Sequence, residues 1–345
     1  MTYYASFHMP GRQFARLLEP PFRAIKYEPE LGALVAFDEA GFPAFREMIA
    51  SLGLPCGYVW DKTRQSYKVT ATEMTPARKL KPGRNREVLR RLRRSARWAA
   101  SDKRLCEGAA EAAVIPDGRV PFFWRYKRFT YVKPGRERPF RYSLRSPHGA
   151  GEVPLVVYLH SAGGYGIDGV KAVREVGSLP GLLLRECHVL VPQTGLGNPY
   201  CLEASEDLGD VIESIPNVDR KRIYLMGTSM GGCGAVIECR RHPGRYAACV
   251  TSVAWLQNLD ASEKDEYQHP LDEKAFDVLA RMPMWLGYGR DEKSVNEPLY
   301  EALKARNVDA RETFLKGLGH QLAGPVFWLT QPWAKWLFGK KRDSA

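Results

Sequence analysis

The chain has 345 residues, 44% hydrophobic and 26% charged, which is ordinary for a soluble globular protein and long enough for more than one domain. No run of 18 apolar residues occurs, and residues 1–23 lack an apolar stretch behind a basic start, so neither a membrane span nor a secretory signal is expected. The net charge of +12 is uneven: residues 1–145 carry a net +15 and the remainder −3.

In chain order, Thr2–Met9, Phe22–Tyr27 and Ala33–Phe37 read as strands, with a short helix between the first two. Residues 39–51 read as a helix, and Gly57–Trp60 or Tyr67–Thr70 as a further strand. This β-α-β-β-α-β order predicts a small α+β module, ferredoxin-like, over residues 1–75. RNA-recognition domains share that order, but Gly32–Phe37 does not carry their aromatic signature. Residues 76–115 form a basic linker and an amphipathic helix. Asn85 is the expected cap, and Val88, Leu89, Leu92, Ala96 and Ala99 fall on one face. Arg90, Arg91, Arg93, Arg94 and Arg97 lie largely off that stripe. The simple expectation is a helix that docks by its apolar face and leaves its arginines in water. The alternative is that the basic segment 78–104 is a docking surface for an acidic partner.

Residues 116–342 form the expected catalytic domain. Phe122–Tyr131 alternates aromatic and basic residues and runs into Pro134-Gly135. It reads as a strand leading to a hairpin at a sheet edge rather than as a site for single-stranded nucleic acid. Pro154–Leu159 is a strand ending in His160-Ser161-Ala162-Gly163-Gly164, a degraded H-G-G-G pattern with Ser161 where a glycine is usual. Val189–Gln193 is another strand. The segment Gln193–Ser205 at its end, with Asn198, Tyr200 and Glu203, is expected to line a substrate pocket, and Ser161 and Tyr200 are the candidate substrate-binding residues.

Arg222–Met226 is a strand, Cys233–Arg241 reads as a helix, and Gly227-Thr228-Ser229-Met230-Gly231 joins them. Strand, G-x-S-x-G, helix is the setting of a nucleophile elbow, which makes Ser229 the candidate nucleophile. A serine needs a base, an acid and an oxyanion hole. His320 follows the last strand, Glu312–Leu315, through Gly317-Leu318-Gly319, and is the candidate base on a loop past a strand end. His160, His188 and His242 read as packing or surface residues. The acid has two candidates at the end of the strand Met284–Tyr288: Asp291 fits the usual residue type, and Glu292 fits a G-x-x-acid spacing from Gly289. Asp291 is narrowly preferred. The oxyanion donors are expected to be the N–H groups of Met230 and Ala162.

These motifs occur in the order of a known family. From about Phe140 to Arg342 the chain resembles α/β-hydrolases of the group of predicted peptidases and esterases near the polyhydroxybutyrate depolymerases and family 1 carbohydrate esterases. The matching pieces are Pro154–Gly164, Val189–Gln193, Val218–Tyr224, the elbow, Pro283–Trp285 and Trp336–Phe338. The resemblance implies an α/β-hydrolase fold: a mostly parallel eight-stranded sheet with helices on both faces. It also implies no metal, no cofactor and hydrolysis through an acyl-enzyme. Ser161 and the unsettled acid depart from the family pattern, and the first 115 residues match nothing familiar.

Seven scattered cysteines without a C-x-x-C pair fit free thiols in a reducing, cytoplasmic setting and offer no zinc pattern. The expectation is therefore a serine hydrolase, a carboxylesterase first. A serine peptidase of the same fold, or a non-catalytic relative with a basic partner-binding module, is the alternative.

Overall fold

The computed structural model describes residues 2–7, 24–28, 32–38, 57–61, 64–69, 104–136, 139–149, 151–164, 166, 168–177, 179–193, 202–254, 272–306 and 309–342. The chain divides into two compact units. One comprises Met1–Ala112 with Val132–Pro139 and Gly195–Asn198, and the other holds the rest.

The first unit contains β1 (Thr2–Phe7), β2 (Ala24–Glu28), β3 (Gly32–Asp38), β4 (Gly57–Asp61) and β5 (Arg64–Val69). They form an antiparallel sheet in the order β2-β3-β1-β4-β5. The first four strands take the order a β-α-β-β-α-β chain produces, and β5 adds a hairpin strand beyond β4. Both expected extended segments after residue 56 are therefore strands rather than alternatives. The helix expected at 39–51 and the linker and basic segment from 76 to 103 lie outside the described residues.

The second unit is built on nine strands: β6 (Ala113–Val120), β7 (Phe123–Val132), β8 (Phe140–Arg145), β9 (Val153–Leu159), β10 (His188–Gln193), β11 (Val218–Thr228), β12 (Ala248–Ser252), β13 (Met284–Gly289) and β14 (Ala310–Leu315). Their order is β14-β13-β12-β11-β9-β10-β8-β7-β6. Strands β9 to β14 are parallel, and β8 and β7 join antiparallel. The sheet thus has nine strands, not the eight expected. The extra one is β6, which lies at the edge beyond β7. Seven of its eight residues are exposed, and it contains Pro116 and Gly118, so no apolar alternation announces it.

The helices are α1 (Val170–Val176), α2 (Pro180–Leu183), α3 (Leu202–Ser214), α4 (Met230–Arg241), α5 (Glu273–Leu279), α6 (Lys293–Ala305), α7 (His320–Thr330) and α8 (Trp333–Phe338). Strand β9 is covered on both faces, as its continuous apolar run requires. Leu155, Val157 and Leu159 enter one core with side chains of α3, α4, α5 and α6. Val156 and Tyr158 enter the other, with side chains of α1, α2, α7 and α8. Burial of these two layers is the main stabilising contribution to the unit.

The crossovers fix where a site can form. The chain leaves β9 for β10 on one side, then crosses to β11 on the other. Ligand crevices in open α/β sheets lie beyond the C-terminal strand ends at such a reversal. Here the ends of β9 and β11 carry the 160–164 segment and Ser229. Among the described residues, no helix is long and apolar enough to cross a membrane.

Candidate active site

Strand β11 runs through to Thr228 and α4 begins at Met230, so a single residue makes the turn. Ser229 has φ 55° and ψ −117°, a strained conformation for a non-glycine residue that costs on the order of 1–3 kcal/mol. Two backbone hydrogen bonds hold it: its N–H donates to the Ser252 carbonyl at 2.8 Å, and its carbonyl accepts from the Cys233 N–H at 3.0 Å. Gly231 is required for a steric reason. A Cβ there would overlap the Leu159 carbonyl oxygen, so only glycine lets α4 approach the end of β9 this closely. The helix starts three residues earlier than the apolar pattern suggests, because Gly231 and Gly232 interrupt that pattern but not the helix.

His320 is the first residue of α7 rather than part of a free loop. Its Nε2 lies 2.9 Å from Ser229 Oγ, and its Nδ1 lies 2.6 Å from Glu292 Oε1. Glu292 closes a one-turn 3-10 segment, Arg290–Glu292, that follows β13, and it is fully buried. Its second oxygen accepts the Gly289 N–H at 3.1 Å. The ring nitrogen's partner is thus Glu292 and not Asp291, the narrowly preferred candidate. Asp291 stands on the outer side of the same turn and accepts the backbone N–H of His320 at 2.8 Å through Oδ2. That bond, aided by Arg290 beside it, holds the Asp291 carboxyl below its ordinary range. The two adjacent acids therefore have separate contacts, one on the imidazole and one capping the helix that carries it.

Helix α7 is anchored against the elbow. Trp328 Nε1 donates to Thr228 Oγ1 at 2.8 Å, and Phe327 packs edge-on against Trp285 of β13. Gly289 has no room for a Cβ, which would overlap the Leu318 carbonyl oxygen, so the turn before His320 sits directly on the end of β13.

Ala162 begins a 3-10 turn, Ala162–Gly164, at the end of β9, and Met230 begins α4 at the end of the neighbouring strand β11. Ser161 does not loosen this turn. Its hydroxyl donates to Glu175 Oε1 at 2.7 Å and accepts the Gly163 N–H at 3.1 Å, and its own N–H donates to Glu175 Oε2 at 2.8 Å. Gln193, expected to start a pocket-lining segment, is buried. It bridges the Gly164 carbonyl (2.8 Å) and the Gly169 N–H (2.6 Å). Tyr200, with Asn198, and the stretch 255–271 lie outside the described residues.

His160 is buried, and its Nδ1–H donates to the Ser161 carbonyl at 2.7 Å. Burial pushes its pKa from 6.5 down to about 4. The unfolded chain therefore takes up this proton first as pH falls. The stabilisation from keeping His160 neutral is complete above about pH 6.5 and is lost on descending towards pH 4, with a total of about 3 kcal/mol. Urea unfolding of the wild type between pH 7 and pH 4.5 should show a loss that His160→Gln largely removes. Equal pH slopes in the two proteins would contradict this.

Residues 189–336 match a family described as "putative esterase". The crystal structure of a thermostable esterase is similar at 20% identity over 63% of this chain, with a TM-score of 0.51, and the chain spans 64% of that protein's length. An S-formylglutathione hydrolase of Staphylococcus aureus is similar at 15% identity, covering 62% of this chain and 98% of its own, with a TM-score of 0.49. A ferulic acid esterase gives 16% identity, 66% and 99% coverage, and a TM-score of 0.43. No curated protein sequence matches the chain. The second unit has the α/β-hydrolase fold.

Glu175, Tyr158, Thr228 and Trp328 adjoin the site without any sequence motif marking them. Glu175 sits 14 residues beyond Ser161 on α1, and no motif spacing links them. The only available signal was an acidic residue next to the apolar stripe Ala172, Val173 and Val176. Cys187, Cys233, Cys239 and Cys249 are buried and form no disulfide. Among the described residues, no group of three or more His, Cys, Asp or Glu side chains is arranged to hold a metal.

Proposed function

We propose that this protein is a serine hydrolase that cleaves carboxylic esters through an acyl-enzyme. The observation that carries the reading is the continuous relay Ser229 Oγ–His320 Nε2, His320 Nδ1–Glu292 Oε1, at 2.9 and 2.6 Å. Ser229 attacks the ester carbonyl as Nε2 removes its proton. Glu292 holds Nδ1–H, which selects the tautomer with a free Nε2 lone pair and stabilises the imidazolium formed in the step. The Met230 and Ala162 N–H groups stabilise the tetrahedral oxyanion, each worth about 3–4 kcal/mol in the transition state. The imidazolium then protonates the leaving alcohol, and water repeats the cycle on the acyl-enzyme. The strain at Ser229 fits a nucleophile held forward of its strand, and the match of residues 189–336 supports an ester rather than an amide substrate.

A chromogenic acetyl ester tests this. A burst of p-nitrophenol of about one equivalent per protein, followed by slower steady turnover, is expected when acylation outruns deacylation. Absence of turnover on short-chain esters, thioesters and activated amides alike would reject the reading.

A further inference from the structure

We propose that Glu175 is a positioning residue for the oxyanion loop, holding the Ala162 peptide in register with the nucleophile turn through one hydrogen-bonded chain. The proposal rests on the hydrolase reading above and deepens it.

The Glu175 carboxylate, half-buried on α1, accepts from both the N–H and the hydroxyl of Ser161. Ser161 Oγ in turn accepts the Gly163 N–H. The peptide groups on either side of the Ala162 N–H are therefore both fixed, one by the carboxylate and one by the hydroxyl that the carboxylate orients. This explains why a serine serves where a glycine is usual: glycine has no hydroxyl to join Glu175 to Gly163. It also commits the Ser161 N–H to Glu175, which removes it from the possible oxyanion donors.

The same carboxylate reaches the nucleophile side. Tyr158 OH donates to Glu175 Oε2 at 3.3 Å and lies 2.8 Å from Thr228 Oγ1, and Trp328 Nε1 donates to that same Oγ1 at 2.8 Å. With Trp328 able only to donate and a carboxylate only to accept, one direction satisfies the whole chain: Trp328 to Thr228, Thr228 to Tyr158, Tyr158 to Glu175. Thr228 immediately precedes Ser229, and Trp328 lies on the helix that begins with His320. One acceptor thus terminates a network touching the oxyanion loop, the nucleophile turn and the base-bearing helix. Oxyanion donors act only when fixed beforehand at the position the developing charge will occupy, so loosening this end should slow chemistry without weakening substrate binding.

The test is kcat and KM for p-nitrophenyl acetate in wild type, Glu175→Gln, Glu175→Ala, Ser161→Ala and the Glu175→Ala/Ser161→Ala double variant, with thermal unfolding of each. Glu175→Ala should lower kcat by about 10²-fold with KM changed less than about threefold. Glu175→Gln, which keeps one acceptor oxygen, should lose about tenfold and decides the matter if the alanine variant does not fold. The double variant should lose no more than the worse single one, because both break one connection. A folded Glu175→Gln or Glu175→Ala protein with wild-type kcat overturns the proposal, as do losses that multiply in the double variant. An inert wild type defeats the hydrolase reading itself; an active wild type with indifferent Glu175 variants defeats only this inference.

Discussion

Replacing Ser229 by alanine should lower kcat by on the order of 10³- to 10⁶-fold and leave the protein folded. The hydroxyl makes its hydrogen bond to His320 and not to the core, so its removal strands no buried polar group. Alanine is also no worse suited than serine to φ 55°, since both carry a Cβ. The melting temperature should therefore change little while turnover disappears, and circular dichroism beside a chromogenic ester assay reads both. A purified, host-esterase-free Ser229→Ala protein with more than a tenth of wild-type kcat would remove Ser229 from the mechanism.

The second large effect is expected at Glu292. Glu292→Gln preserves size and retains an acceptor for the Gly289 N–H, but it removes the charge facing His320 Nδ1. An amide there equally well presents an N–H to the ring and so favours the wrong tautomer, at an expected loss of about 10³- to 10⁴-fold in kcat. Asp291→Asn is the internal comparison. Asparagine still accepts the His320 backbone N–H, so the cap on α7 survives and kcat should fall less than about tenfold. The reverse ranking of the two variants would move the orienting role to Asp291 and contradict the relay geometry.

The pair also illustrates what a sequence can carry. The Ser229–His320 pairing was legible because strand, turn and order each leave a mark: an apolar run, glycines where backbones collide, and a histidine after the last strand. The choice between Asp291 and Glu292 was not legible. It depends on the one-turn 3-10 segment Arg290–Glu292, whose curvature sends consecutive side chains in different directions. Nothing in the residue types Gly-Arg-Asp-Glu specifies that curvature. His320 looked like a loop residue because the cap of its helix is the side chain of Asp291, 29 residues away, and not a local Ser, Thr or Asp. The parallel strands β9, β10 and β13, and β11 from Arg222 onward, were visible as apolar runs, whereas β6 was hidden by its exposure and its proline. Ser161 looked like a defect in the oxyanion pattern until its partner Glu175 was placed beside it by α1 packing under the loop.

Activation of Ser229 by His320 and Glu292 makes this serine the one side chain expected to react with a phosphonylating probe. Covalent labelling by a fluorophosphonate, followed by peptide mass mapping, tests it most directly because it needs no knowledge of the natural ester. One phosphonyl group per chain is expected, attached to Ser229, formed rapidly in the wild type and at least about 10²-fold more slowly in Glu292→Gln. An adduct on another residue, or none after prolonged exposure of folded protein, would contradict it.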